Sequence, residues 1–206
     1  MSAAPQAPAV AEAPPLGLGA QLRLVPNVLT SLRLLLVPVM WIAALEGRPR
    51  AVGVGLALSF WLDFGDGFAA RRLGQTTTFG SKFDSIVDSM IGPSALCWLL
   101  LLEPAAIQEH WLLAATWVGV TYTSLVVGLV KFRRFANLHL QSARIACVIQ
   151  YAFLVDVFVA APYEPLLLYA AAGAGIVASL ESLVLQLRRS RVDEHVGSIV
   201  RRRYGT

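Results

Sequence analysis

The sequence predicts an all-α polytopic membrane protein: a six-transmembrane-helix bundle with a cytoplasm-facing polar cavity. Three observations carry this. Of 206 residues, 56% are hydrophobic and 15% charged, and the mean hydropathy is +0.63, more apolar than a soluble domain of this length. The apolar residues fall in six blocks, near 27–46, 51–72, 79–102, 111–130, 143–160 and 165–187. Each is close to the roughly 20 residues that cross a bilayer as a helix. The connections are short, so residues 21–188 read as one compact membrane domain rather than several. Residues 1–20 are Ala/Pro-rich and lack a basic n-region, so they read as a disordered tail and not as a cleavable signal peptide. Residues 21–26 read as the start of a short interfacial helix, and 189–206 as a basic cytoplasmic tail.

Each block has its own signature. The first opens after Pro26, with Asn27 and Thr30 near its start and Arg33 about a turn further in. The second has its apolar part only over 51–62 before it meets Asp63. About a dozen apolar residues fall short of a crossing, so the far end of that helix must face a polar, hydrated cavity. The third begins near Phe79 and carries Asp84 and Asp88 in its first turns. The short polar stretch 72–78 folds the second and third helices back on each other, which lets their aspartate faces converge. The fourth block is uninterrupted. Lys131, Arg133 and Arg134 precede the fifth, which starts around Ser142-Ala143-Arg144-Ile145. The sixth carries Glu181, a candidate partner for Arg144. Asp156 lies near the far end of its span, where water reaches it. His110 and His195 read as solvent-facing and His139 as interfacial. Cys97 and Cys147 belong to no C-x-x-C pattern and read as ordinary buried thiols.

Orientation follows from lysine and arginine. With six spans, both termini share a side, and 15 of the 17 basic residues fall there. Only Arg48 and Arg50 fall on the other, beside Glu46, Glu103, Glu109 and Glu164. The termini and the aspartates are therefore expected in the cytoplasm. The pI of about 9.4 reads as membrane topology and contact with anionic lipid, not as nucleic-acid binding.

The densest chemistry lies between residues 63 and 88. Asp63 and Asp66 are spaced i, i+3, and Asp84 and Asp88 i, i+4, so on helices each pair shares a face. A carboxylate at the bilayer centre costs roughly 2.5–3.5 kcal/mol on insertion scales. Four together need compensation. Hard oxygen ligands suit Mg²⁺ or Mn²⁺, and two divalent ions would balance four carboxylates. Gly67, Ala70 and Gly80 are small enough for helices to pack closely there.

These residues spell D-x2-D-G-x2-A-R-x8-G-x3-D-x3-D from Asp63 to Asp88 without a gap. That pattern resembles the signature of the CDP-alcohol phosphotransferases (CDP-alcohol phosphatidyltransferases), integral-membrane enzymes of phospholipid biosynthesis. The stretch Pro-Asn-Val-Leu-Thr-Ser-Leu-Arg at 26–33 resembles the first helix of the phosphatidylglycerophosphate synthase and cardiolipin synthase branch, and the likeness covers about 22–188. The resemblance implies metal-dependent transfer of a phosphatidyl group from CDP-diacylglycerol to a small hydroxylated acceptor, with release of CMP. It implies that Asp63, Asp66 and Asp84 hold the metals, and that Asp88 is the general base and also touches a metal. It implies that Asp66, Gly67, Ala70, Arg71 and Gly80 contact the CDP-lipid. Asn27 and Thr30 match nucleotide-facing positions, with N-capping of the first span as the other reading. Arg71 reads as a phosphate contact or a snorkelling anchor, and Arg72 as an anchor. The family also implies a homodimer, surrounded by membrane lipid, in the bacterial inner membrane.

The acceptor is less defined. Arg33, Lys131, Arg133, Arg134 and Arg144 match the region where relatives bind an acceptor phosphate; the other reading is positive-inside anchoring, or for Arg33 pairing with an aspartate. Glycerol-3-phosphate enzymes read L-D-P-x-A-D-K around the last two aspartates, whereas this chain has Ser85 for the proline and Ser89 for the lysine. Phosphatidylglycerophosphate synthase is the most specific candidate; inositol phosphate and serine are the alternative acceptors. Two readings from other classes compete. A divalent-cation transporter needs a polar path through the far half of the bundle, and 51–62 and 96–102 are apolar there. An inactive scaffold is expected to have lost an aspartate, and all four are present.

Overall fold

The computed structural model describes residues 17–132, 141–160 and 162–188. Among them the helices are α1 (Leu18–Leu22), α2 (Val25–Leu45), α3 (Pro49–Arg72), α4 (Thr78–Leu102), α5 (Pro104–Gln108), α6 (Trp111–Phe132), α7 (Gln141–Val159) and α8 (Pro165–Arg188). The six long helices match the six expected blocks to within a few residues. Five of them, α2, α4, α6, α7 and α8, are long and apolar enough to cross a membrane, which indicates an integral membrane protein. α3 is long enough at 24 residues but is not among the five, because Asp63 and Asp66 interrupt its apolar run. The short helix expected over 21–26 lies earlier, at Leu18–Leu22.

Local signals set the helix ends. Proline stands at the first position of α3, α5 and α8, where its missing N–H would have no partner. Gly47 (φ 67°) and Gly74 (φ 63°) close α2 and α3 in the left-handed conformation. After each, a backbone N–H reaches back five residues: Arg48 to the Ala43 carbonyl (2.9 Å), and Gln75 to that of Ala70 (3.0 Å). The next residues lead to Thr77, whose hydroxyl accepts from the Gly80 N–H at 2.9 Å and caps α4. Residues 73–77 thus make a short turn that links the end of α3 to the start of α4.

α3 is the central helix. It packs on α2 along one side and on α7 along the other, while α2 also packs on α4 and α8 packs on α6 and α7. Small residues permit this. A Cβ on Gly55 would come within 2.6 Å of Met40 on α2, and one on Gly53 within 2.6 Å of Val159 on α7. The buried face of α2 runs Asn27, Thr30, Arg33, Val37, Met40, Ala44, spaced by three or four. Its first half is polar and its second apolar. α4 repeats the change, from Asp84 and Asp88 to Ile91, Ala95 and Trp98. The bundle therefore has a polar layer at one end and, beyond it, an apolar core of Met40, Val52, Leu56, Trp98 and Phe153, each at most 1% exposed. Within that core the Trp41 indole donates to Ser94 at 3.0 Å. Leu32, Leu35, Val39 and Ile42 of α2 stay exposed as an apolar stripe suited to lipid.

Several polar expectations resolve at the periphery. Cys97 and Cys147 are both exposed rather than buried. Asp156 accepts the Glu164 backbone N–H at 2.8 Å and ties the end of α7 to the start of α8. Glu181 accepts from the Ser142 hydroxyl, while Arg144 is exposed and forms no ion pair among the described residues, so the expected Arg144–Glu181 pair is not formed. Arg48 is paired with Glu46 at 3.2 Å. Arg133, Arg134, His139, His195, residues 1–16 and residues 189–206 lie outside the described residues, while 18–20, expected in the disordered tail, belong to α1.

The turn after α3 generates a prediction. Gly74→Ala forces a side chain into the left-handed region and is expected to destabilise by about 1–2 kcal/mol. Gly119→Ala, in α6 with open space around its Cβ, is expected to stabilise by roughly 0.5–1 kcal/mol. Thermal unfolding in detergent reads both, and an equal fall for the two variants contradicts this account of the turn.

Candidate active site

Three helices build the polar layer. α2 enters it with Asn27, Thr30 and Arg33, all at most 2% exposed; α3 leaves it with Asp63 and Asp66; α4 re-enters it with Asp84 and Asp88. The two aspartate pairs face each other, as their spacings on a reversed helix pair require. Carboxylate oxygens of Asp63, Asp66 and Asp84 all lie within 4.8 Å of one another. Asp88 stands outside this trio and is the most exposed of the four, with 53% of its side chain accessible against 37%, 9% and 37% for Asp63, Asp66 and Asp84.

The guanidinium of Arg33 fills the centre. Its Nη1 lies 2.8 Å from Asp63 Oδ1, 3.5 Å from Asp66 Oδ2 and 2.7 Å from Asp84 Oδ1, and its Nη2 donates to Asp88 Oδ1. Its Nε–H is buried and has no partner among the described residues. One guanidinium against four carboxylates leaves three formal negative charges if all four are ionised. The Thr30 hydroxyl lies 3.0 Å from Asp66 Oδ2 and 3.1 Å from the Pro26 carbonyl, and so fixes the most buried aspartate.

The donor set fits a divalent ion. Oxygen neighbours on an octahedral Mg²⁺ are about 3 Å apart when adjacent and about 4.2 Å when opposite, given bonds of about 2.1 Å. The trio needs only small side-chain rotations to meet that spacing. A cationic nitrogen already rests at the point where the three carboxylates converge, so the chain has a cation position there. Asp63, Asp66 and Asp84 would hold the ion.

The other expected site residues divide into those near this centre and those away from it. Gly80 is small for a reason distinct from nucleotide access: a Cβ there would lie 2.7 Å from Asn27 Oδ1 and 3.1 Å from Thr77 Oγ1. Asn27 does not cap α2, whose N-cap is Leu24; its amide donates to the Gln21 carbonyl at 2.7 Å. Arg71 folds back along α3, so that a Cβ on Gly67 would meet its Nη1 at 3.3 Å, and Ala70 is half-buried beside it. Arg72 lies over the Phe68 ring at 5.8 Å, as an anchor does. Lys131 is committed elsewhere: its Nζ donates to the Gln186 and Leu187 carbonyls at 2.7 and 3.1 Å, capping α8. Arg144 starts a face of α7 that continues through Cys147 and Tyr151. The Cys147 thiol lies within electrostatic reach of Asp63, Asp88 and Arg33, and the Tyr151 phenol within reach of Arg33 and Asp88. No motif in the sequence assigns a site role to either: Cys147 reads as an ordinary buried thiol, and Tyr151 is not among the candidates. The i, i+3, i+7 spacing from Arg144 is the signal that would have found them.

The CDP-alcohol phosphatidyltransferase family profile matches residues 23–181, which contain every element of this site. The chain belongs to the CDP-alcohol phosphatidyltransferase family. A CDP-diacylglycerol–glycerol-3-phosphate 3-phosphatidyltransferase of Pseudomonas fluorescens is 33% identical over 89 residues, 42% of each chain. A probable phosphatidylglycerophosphate synthase of Mycobacterium tuberculosis is 35% identical over 107 residues, 49% of this chain and 51% of the relative. A CDP-diacylglycerol–inositol 3-phosphatidyltransferase of Candida albicans is 30% identical over 80 residues, 39% of this chain and 34% of the relative. The chain thus spans about half or less of the length of these CDP-alcohol phosphatidyltransferase relatives. No solved structure matches it significantly.

The Gly80–Asn27 contact is testable. Gly80→Ala is expected to lower the thermal midpoint, and Asn27→Ala in the same chain is expected to recover part of the loss, because the residues share one contact. Strictly additive losses contradict the contact.

Proposed function

We propose that the protein transfers a phosphatidyl group from CDP-diacylglycerol to a small hydroxylated acceptor, releasing CMP, with glycerol 3-phosphate as the leading acceptor. The observation that carries this is the division of the four aspartates: three whose oxygens converge within 4.8 Å, and Asp88 outside them and most open. The trio suits a divalent-cation centre, Mg²⁺ or Mn²⁺, with two ions at full occupancy. Such ions would neutralise the diphosphate of the substrate and stabilise its leaving oxygen.

The chain's own residues do the rest. Asp88 takes the proton of the acceptor hydroxyl. The acceptor oxygen bonds to the phosphorus that bears the diacylglycerol, the bond from that phosphorus to the bridging oxygen breaks, and CMP leaves with the electron pair. Thr30 holds Asp66 in place. Gly67, Ala70 and Arg71 present a low surface and a cation to the cytidine diphosphate, and Asn27 and Gly80 hold α2 and α4 in register beside it. Arg144, at the mouth of the α7 face, is the acceptor-phosphate candidate, with Arg133 and Arg134 beside it in the chain; Lys131 serves α8 first.

Ser85 and Ser89, where glycerol-3-phosphate enzymes carry proline and lysine, favour a second reading in which inositol phosphate or serine is the acceptor. The transporter reading loses ground to packing: Met40, Leu56, Trp98 and Phe153 close the half of the bundle beyond the aspartates. We place the protein in a bacterial inner membrane as a homodimer, with α3 as the sixth span and the termini and aspartates cytoplasmic.

Lipid mass spectrometry tests the reaction. Purified protein receives CDP-diacylglycerol, Mg²⁺ or Mn²⁺, and separately glycerol 3-phosphate, inositol 1-phosphate, inositol or serine. The expected result is one new lipid, reduced at least about 100-fold by Asp88→Asn, the scale on which a general base contributes. No product with any acceptor, from protein that binds the CDP-lipid, contradicts the acceptor assignments. Failure to bind the CDP-lipid contradicts the enzyme reading itself.

A further inference from the structure

We infer that Arg33 occupies the cation position of the aspartate cluster and yields it when a divalent ion binds, so that guanidinium and ion compete for the same three carboxylates. The inference rests on the metal centre proposed above. The three residues whose oxygens could share an ion, Asp63, Asp66 and Asp84, are the three that Arg33 Nη1 contacts at 2.8, 3.5 and 2.7 Å. An ion at their common centre would sit on that nitrogen. Arginine does not resolve the conflict by losing its proton, since the guanidinium stays charged in proteins. It has to move.

Two further observations fit a temporary occupant. Arg33 is fully buried, yet its Nε–H finds no acceptor among the described residues, so this placement leaves one of its donors unused there. Nη2 is held by Asp88, the aspartate outside the trio, which keeps the fourth carboxylate turned inward as well. In the ion-free protein Arg33 therefore holds four mutually repelling carboxylates in the geometry an ion needs. Once an ion takes over that task, the freed guanidinium is a buried donor set suited to an anionic phosphate oxygen. Arg33 is thus a positioning residue for the cluster.

Mn²⁺ binding to the purified full-length chain, followed by electron paramagnetic resonance without nucleotide, tests this. Arg33→Met is expected to lower the thermal midpoint of the ion-free protein and to tighten Mn²⁺ binding by at least about tenfold, because a like charge next to the ion is removed. Arg33→Gln follows the same direction, and Arg33→Lys restores affinity toward that of the wild type. A merely structural role for Arg33 predicts weaker Mn²⁺ binding in the neutral variants, and that result, or unchanged affinity, overturns the inference. Should the neutral variants fold only with Mn²⁺ present, the chelator-driven loss of the ion is compared instead: slower loss than from wild type supports competition, and equal or faster loss overturns it. Absence of Mn²⁺ binding by the wild type overturns the metal centre, and the inference with it.

Discussion

Four carboxylates and one guanidinium share a polar layer inside a bundle whose other long helices are built to meet lipid, and the surrounding structure is arranged around that electrostatic problem. Arg33 contacts all four aspartates from the middle of the cluster. Without a central cation, Asp63, Asp66 and Asp84 would stand within 4.8 Å of one another with nothing between them but mutual repulsion. Removing one partner from such a buried network is more damaging than the pairwise contacts suggest, because the remaining charges are left uncompensated. The cation at the centre is thus a condition for the helices α2, α3 and α4 to meet there at all.

The apolar half supplies the complementary constraint. α2, α3 and α4 continue past the polar layer as one packed core, and the close approaches at Gly53 and Gly55 bring α7 and α2 tightly against α3. The left-handed Gly74 and the Thr77 cap then fix where α4 starts. A shift of one residue in that turn would rotate Asp84 and Asp88 by about 100° around their helix, away from Asp63 and Asp66. Turn chemistry and small residues therefore place the carboxylates, while charge compensation keeps them there.

The helices and the aspartate cluster were legible in the sequence because both follow short-range rules. Apolar runs of crossing length and the i, i+3 and i, i+4 spacings need no knowledge of distant contacts. What was not legible depends on how faces rotate against one another. Arg33 read equally as an acceptor ligand or an aspartate partner, and only the crossing of α2 over α3 puts it between the carboxylates. Gly80 read as making room either for a nucleotide or for helix packing, and only the approach of Asn27 across the α2–α4 contact shows which neighbour it meets. Lys131 read as an acceptor ligand or a positive-inside anchor, and its contact with the end of α8 depends on how α6 and α8 meet. Cys147 read as a buried thiol because its neighbours in sequence are apolar, yet its side of α7 opens toward the charged layer.

The central claim is that this charged layer is a cation-centred catalytic site. Anomalous diffraction from crystals of the protein grown with Mn²⁺ tests it most directly. The account predicts anomalous density within coordinating reach of Asp63, Asp66 and Asp84, at roughly 2.0–2.3 Å from their oxygens. An ordered aspartate cluster with no such density, at Mn²⁺ concentrations that support turnover, would contradict it.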